Sequence, residues 1–375
     1  MAGSLKKVGI GVEDCTFEDD ELYPASTWQR QGSLGILTGL TKLPNLLISH
    51  QTIVNVKYFN SGALTDVSIQ AAVDHVGTDE RIIYFEPGTW VLSADITGTA
   101  NIYFQFAPGA YLQPATGITF TAYSPAHIIA SPRQQIVDIT NNSTDPLAFT
   151  NAGSFSAMWW GATGDGTTND TAALKIPIGL SGTVVIPSGT YLITGNNLVG
   201  ASNQHLIFEP GAIFQLDTSG GSVVLLHYSS KENIIIDNGY FDINQGADIS
   251  DIAIQITSST NVIIRDCSFI NSEITTNWPT TQGEGLCVYL LGSWKHVYIE
   301  NIYAHDVAWG VITQGSSTGS YLTVSGGLIE QISADAVLIN VPTGSASDIE
   351  VTGLTVNQAG RNTNTTGCGF IFRPA

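Results

Sequence analysis

The chain has 375 residues, of which 43% are hydrophobic and only 12% charged, with 39 glycines. That length suits one large domain or two modest ones, and the hydrophobic share excludes global disorder. Thirteen Lys and Arg against 32 Asp and Glu give a formal charge of −19; such a surface repels phosphate backbones and argues against nucleic-acid binding.

In chain order, residues 1–50 fit neither of the repeats that follow and lack the apolar region of a signal peptide. Nowhere is there an uninterrupted apolar run long enough for a transmembrane helix. Residues 51–130 form a first opening unit. In "LTDVSIQAAVDHVG", Ile69, Ala72, Val73 and Val76 fall at helical spacing, with Thr65 or Asp66 as N-cap and Gly77 as stop. The strand-like segments "FEPGTWVL" and "FAPGAYLQ" follow. Residues 131–155 are expected to connect this unit to the main body, 156–375.

The main body opens on "WWGATGDGTTNDTAAL", residues 159–174. Its glycines are not in dinucleotide-binding order, no Lys-Ser/Thr follows as in a phosphate loop, and its aspartates miss the calcium-loop pattern. What remains is turn chemistry, a helix cap at Asn169 or Asp170, and Trp159 and Trp160 to pack it. "VIPSGTYLI" and "FEPGAIFQ" then repeat the segments of the first unit about 100 residues on, and Pro177 cuts the second helix short.

From Asn233 one phrase recurs: "NIIIDNGYFDI", "NVIIRDCSFIN", "HVYIENIYAHD", "YLTVSGGLIEQ" and "DIEVTGLTVNQ", starting at 233, 261, 296, 321 and 348. Strand alternation on a repeat of this length describes coils of a parallel β-helix; leucine-rich repeats lack support because there is no LxxLxL frame. Ile234, Ile236, Val262, Ile264, Val297, Ile299, Leu322, Val324, Ile349 and Val351 are expected inside, with Cys267, Phe269, Ile302, Ala304, Ile329, Leu354 and Val356 continuing the core past the turn. Cys15, Cys267, Cys287 and Cys368 have no CxxC spacing; the last three read as buried thiols, and no metal site or cofactor is expected.

The stretch 159–174, followed by "VVIPSGTYLI", resembles the entry motif of the pectate-lyase-like superfamily of right-handed β-helices, which includes bacteriophage tailspikes and polygalacturonases. The resemblance implies an all-β, right-handed, single-stranded parallel β-helix with a duplicated N-terminal cap unit, in which the motif caps the helix and carries no catalysis. Sparse charge and abundant Ser, Thr, Asn and Gly are closer to tailspikes and tail fibres than to secreted plant-cell-wall enzymes. It further implies a homotrimer on a virion tail or outside a cell, attached to other tail proteins through residues 1–50, that binds bacterial surface polysaccharide; many such proteins cleave it. A stiff non-catalytic spacer and a secreted polysaccharide lyase or glycoside hydrolase are the other readings. The chain ends on "GFIFRPA" without an evident cap, so either a trimer partner covers the last coil or the chain is incomplete.

The G-H-G and R-I-K motifs of polygalacturonases are absent. Aligned coils instead give two outward columns: Asp237, Arg265, Glu300, Ser325, Thr352, and Asp242, Ile270, His305, Glu330, Asn357. The first reads as a surface ion-pair ladder worth little. In the second, Glu330, His305 and Asp306 form a candidate catalytic group for acid–base chemistry on a glycan, or else a set of solvated outward side chains. Trp278, on the insertion "NSEITTNWPTTQGEG", is either an exposed stacking platform or packed back onto the barrel. Tyr240, Tyr303, Trp309 and Asp242 are the candidates to extend that platform.

Overall fold

The computed structural model describes residues 53–144, 146–195, 198–217, 223–243, 251–271, 285–313, 317–332, 334–341, 346–357 and 370–374. Residues 1–50, Trp278 with most of its insertion, Cys15 and Cys368 lie outside them. Strand pairing is parallel in every ladder of the described residues, and each coil has three faces. Face A carries Gly182–Ile186, Gln204–Phe208, Glu232–Asp237 and Thr260–Arg265. Face B carries Gly189–Ile193, Ala212–Leu216, Tyr240–Asp242 and Ser268–Ile270. Face C carries Val224–Ser229, Ile252–Thr257, Leu286–Leu291, Trp309–Thr313 and Val337–Val341. Two long strands, Ser293–Val307 and Thr318–Ile332, run unbroken around the corner from A to B. The fold is a parallel β-helix.

Period-two alternation builds it. Ile234, Val262, Val297 and Leu322 stack in register on face A, as do Ile236, Ile264, Ile299 and Val324, and all eight are fully buried. Ile349 and Val351, on the last described coil of that face, are only partly covered. Cys267, Phe269, Ile302, Ala304 and Ile329 continue the core on face B, and Leu354 and Val356 pack against its end. Cys267 and Cys287 are free and buried; burial pushes the Cys267 thiol up to about 12, so it acts as a small apolar side chain.

The corners need left-handed backbone, which asparagine tolerates better than most residues. Before face A the corner residues Asn203, Asn233 and Asn261 all have positive φ, and their amides bond rung to rung at 2.8 and 3.0 Å. His296 and Tyr321 continue this column at φ +53° and +60°, with their rings 4.8 Å apart. His296 Nδ1 still reaches Asn261 Oδ1 at 3.2 Å, and above it a tilted ring contact takes over from the amide ladder.

Both opening units fold as the repeat implies. The first helix, α1, is Asp66–Val76, ended by Gly77 at φ +57°. The second, α2, is Thr171–Ile178 with Pro177 inside it. Asp170 holds the N-cap position, but its carboxylate turns back to accept the amides of Thr163 and Gly164 at 2.7 and 3.1 Å. Asn169 supplies the cap bond instead, accepting from the Thr171 amide at 3.0 Å. Trp159 and Trp160 are buried, and one apolar core runs through both units. The stretch expected to be a connector is itself wound into the coil: Leu147–Phe149 pairs with Phe120–Ala122, and the amides of Ile136 and Val137 donate to Trp159 O.

Just before Ile252 on face C, Asp251 is 2% exposed and accepts the Val223 amide at 2.8 Å. Burial raises its carboxyl from the ordinary 3.8 to about 6. Between those values the unfolded chain gives up this proton while the folded chain keeps it. Stability therefore falls as pH rises through the window and levels off above it, by about 3 kcal/mol for this group. Asp251→Asn keeps the acceptor and is expected to be progressively more stable than the parent as pH rises from about 4 to 6. Urea midpoints of both proteins across that range check this; a difference independent of pH contradicts it.

Candidate functional site

Face B points two columns of side chains outward. Tyr240, Ser268, Tyr303 and Leu328 occupy successive rungs of one. Asp242, Ile270, His305, Glu330 and Asn357 occupy the other, as the coil alignment implied. Tyr303, 36% exposed, donates its hydroxyl to Glu330 Oε1 at 2.9 Å, crossing from one column to the other. That bond, together with the negative charge of Glu330, raises the Tyr303 phenol above its ordinary range. His305 Nδ1 lies 2.9 Å from Asp306 Oδ2, and its ring centroid is 6.3 Å from that of Tyr303. If the Nδ1–H donates to Asp306, Nε2 carries the free lone pair and can accept a proton.

Glu330, His305, Asp306 and Tyr303 are thus brought together. Tyr240 shares the Tyr303 column but stands two rungs away, with Ser268 between. Asp242 is three rungs from Glu330, about 14 Å at the spacing of a sheet, and is engaged elsewhere. It accepts from Gln215 at 3.0 Å and Asn271 at 2.9 Å. The same arrangement occurs in the first opening unit, where Gln113 donates to Asp138 at 2.9 Å. Trp309 does not extend the platform: it sits on face C, 6% exposed, in a second apolar cluster with Ile252, Leu286, Ile312 and Leu338. These side chains cover one another, so Trp309 offers no stacking face.

Beside Tyr303, at the corner between faces A and B, lies a shallow groove of about 510 Å³. Asp266, Cys267, Ser268, Asn301, Ile302, Tyr303, Gly327 and Leu328 line it. Asn301 Nδ2 donates to Asp266 Oδ1 at 2.6 Å. Sequence reasoning missed this groove, although the corner positions 238, 266, 301, 326 and 353 read N, D, N, G, G. The loss of side chains at Gly326 was the available signal.

On face A the predicted column is also real: Asp237, Arg265, Glu300, Ser325 and Thr352 are in register. Arg265 grips Asp237 through Nε at 2.6 Å and Nη2 at 2.9 Å. His205, absent from the sequence reading, adds a third contact to the same carboxylate at 2.7 Å. Burial pushes Asp237 up, but these bonds outweigh it and hold the carboxyl below its ordinary range.

No family model matches the chain. No curated protein matches it either. Among solved structures, the pneumococcal surface adhesin PfbA of Streptococcus pneumoniae aligns at 12% identity and TM-score 0.40, over 85% of this chain and 92% of its own. A second PfbA structure aligns at 11% identity and TM-score 0.37, over 85% of this chain and 99% of its own. A proposed glycosyl hydrolase of Parabacteroides merdae aligns at 14% identity and TM-score 0.36, over 54% of this chain and 97% of its own.

Proposed function

We propose that the protein is a glycan-binding β-helix of tailspike or tail-fibre character that holds a bacterial surface polysaccharide along face B. The observation that carries this reading is Tyr303: an exposed ring at the lip of a groove, its hydroxyl fixed on Glu330 at 2.9 Å. A rigid aromatic face suits the apolar face of a sugar ring, and the polar groups around it suit its hydroxyls. The sparse charge and abundant Ser, Thr, Asn and Gly support the tailspike character, and with it a place on a virion tail or outside a cell and trimeric assembly. Cleavage is the second reading, favoured because Glu330 sits one rung from His305, which pairs with Asp306: Glu330 and His305 would divide the acid and base roles, with His305 positioned by Asp306.

The test is incubation with a panel of purified bacterial surface polysaccharides. Binding to at least one is expected, and Tyr303→Ala is expected to weaken it roughly tenfold or more. Release of reducing ends that Glu330→Gln abolishes would establish hydrolysis, and unsaturated-uronate absorbance would indicate a lyase. A folded protein that binds nothing across the panel would leave the spacer reading in place.

A further inference from the structure

The corner between faces A and B is a ladder that stops. Asn238, Asp266 and Asn301 occupy successive rungs, all at positive φ, and Asn301 is bonded down to Asp266 at 2.6 Å. The next rung is Gly326, at φ +65°, and it offers no side chain to take the place above Asn301. Space is not the reason. A Cβ built on Gly326 would meet nothing closer than 3.8 Å, an ordinary contact. Asparagine also tolerates this backbone, as Asn301 itself does at φ +51°. Gly326, followed by Gly353 on the next rung, therefore ends the ladder and leaves the place above Asn301 vacant, at the edge of the groove that Tyr303 flanks.

The charges around the vacancy are mostly of one sign. Asp266 lines the groove, Glu300 lies one rung above Arg265 on the adjoining face, and Glu330 is bonded to Tyr303. The guanidinium of Arg265, on the adjoining face, has two of its nitrogens committed to Asp237. A carboxylate brought into this groove would face Asp266 directly, with Glu300 and Glu330 on the adjoining columns, and the fork of Arg265 is already engaged.

We propose that the corner groove seats one uncharged sugar ring, whose hydroxyls take the place of the missing side chain above Asn301, and that the site discriminates against uronates. This rests on the reading of face B as a glycan-binding surface and adds the substrate class. Asn301 Oδ1 accepts from a hydroxyl, Tyr303 covers the ring, and the acidic rim excludes acidic sugars. A lyase is then ruled out, because its chemistry requires a uronate; any cleavage at this site is hydrolysis.

The experiment compares a uronate-bearing surface polysaccharide with its carboxyl-reduced form, and measures affinity for the parent, Gly326→Asn and Asn301→Ala. Carboxyl reduction is expected to strengthen binding roughly tenfold or more. Gly326→Asn completes the ladder, so its melting temperature is expected to hold or rise while affinity for the neutral polymer drops roughly tenfold or more. Asn301→Ala is expected to weaken binding similarly, and it decides the matter should Gly326→Asn fail to fold. Equal affinity for the two polymers, or a folded variant that binds like the parent, overturns the proposal while leaving glycan binding intact. Failure of the parent to bind either polymer, or any member of the broader panel, overturns both.

Discussion

Trp160→Ala is expected to destabilise the protein by about 3–5 kcal/mol, the usual range for deleting a large buried aromatic side chain. Trp160 is fully buried at the seam between the two opening units. Its ring meets Phe155 edge-on at 5.5 Å, on the first strand of the rear body, and Phe149 at 6.4 Å, on the last strand of the front unit. α2 packs over the turn Ala157–Trp160 that holds it. Alanine would leave a cavity bounded by rigid strands that cannot collapse into it, so the cost should sit at the upper end. A chain of this size need not unfold in one step, so limited proteolysis is the second readout beside a denaturant midpoint. Cleavage between the two units is expected to appear first. An unchanged midpoint and digestion pattern would contradict a structural role for the stretch 159–174.

Gly327→Ala is expected to cost roughly 3 kcal/mol or more, whereas Gly326→Ala, one residue earlier, should cost only about 1–2 kcal/mol. Both glycines have positive φ, +94° and +65°. They differ in what a Cβ would meet. At Gly327 it would lie 2.2 Å from Ile302 O and 2.6 Å from Ile302 N. Those atoms belong to the rung below, inside a ladder that pairs Ser293–Val307 with Thr318–Ile332, so they cannot retreat without breaking neighbouring pairs. At Gly326 only the left-handed backbone is penalised. Thermal or urea denaturation of the two variants reads the contrast directly, and equal, mild effects would mean that the register of this ladder is wrong.

Much of this architecture is legible in the sequence, because a β-helix repeats one decision. Once Ile234 and Ile236 face inward, the alternation fixes Asp237 outward, and coil-to-coil alignment places Arg265 and Glu300 beside it. The same logic set His305 next to Glu330. What escaped has physical causes. His205 reaches Asp237 from a coil before Asn233, where the recurring phrase has not begun. Trp309 reads as a candidate to extend the platform, but Ile252, Leu286, Ile312 and Leu338 cover it, and no pattern within one coil shows which residues of other coils pack on it. The Tyr303–Glu330 bond runs diagonally between columns, and column reading follows only vertical neighbours. The corner groove is defined by missing side chains at Gly326 and Gly327, which an inventory of chemical groups passes over.

The most direct test of the account compares two tyrosines. Tyr298 on face A and Tyr303 on face B are 37% and 36% exposed and lie on the same long strand. Each would be replaced by alanine, and affinity for a polysaccharide that the parent binds would be measured by calorimetry. The account predicts that Tyr303→Ala loses roughly tenfold or more while Tyr298→Ala binds like the parent. Loss confined to Tyr298→Ala would move the glycan to face A and contradict the site described here.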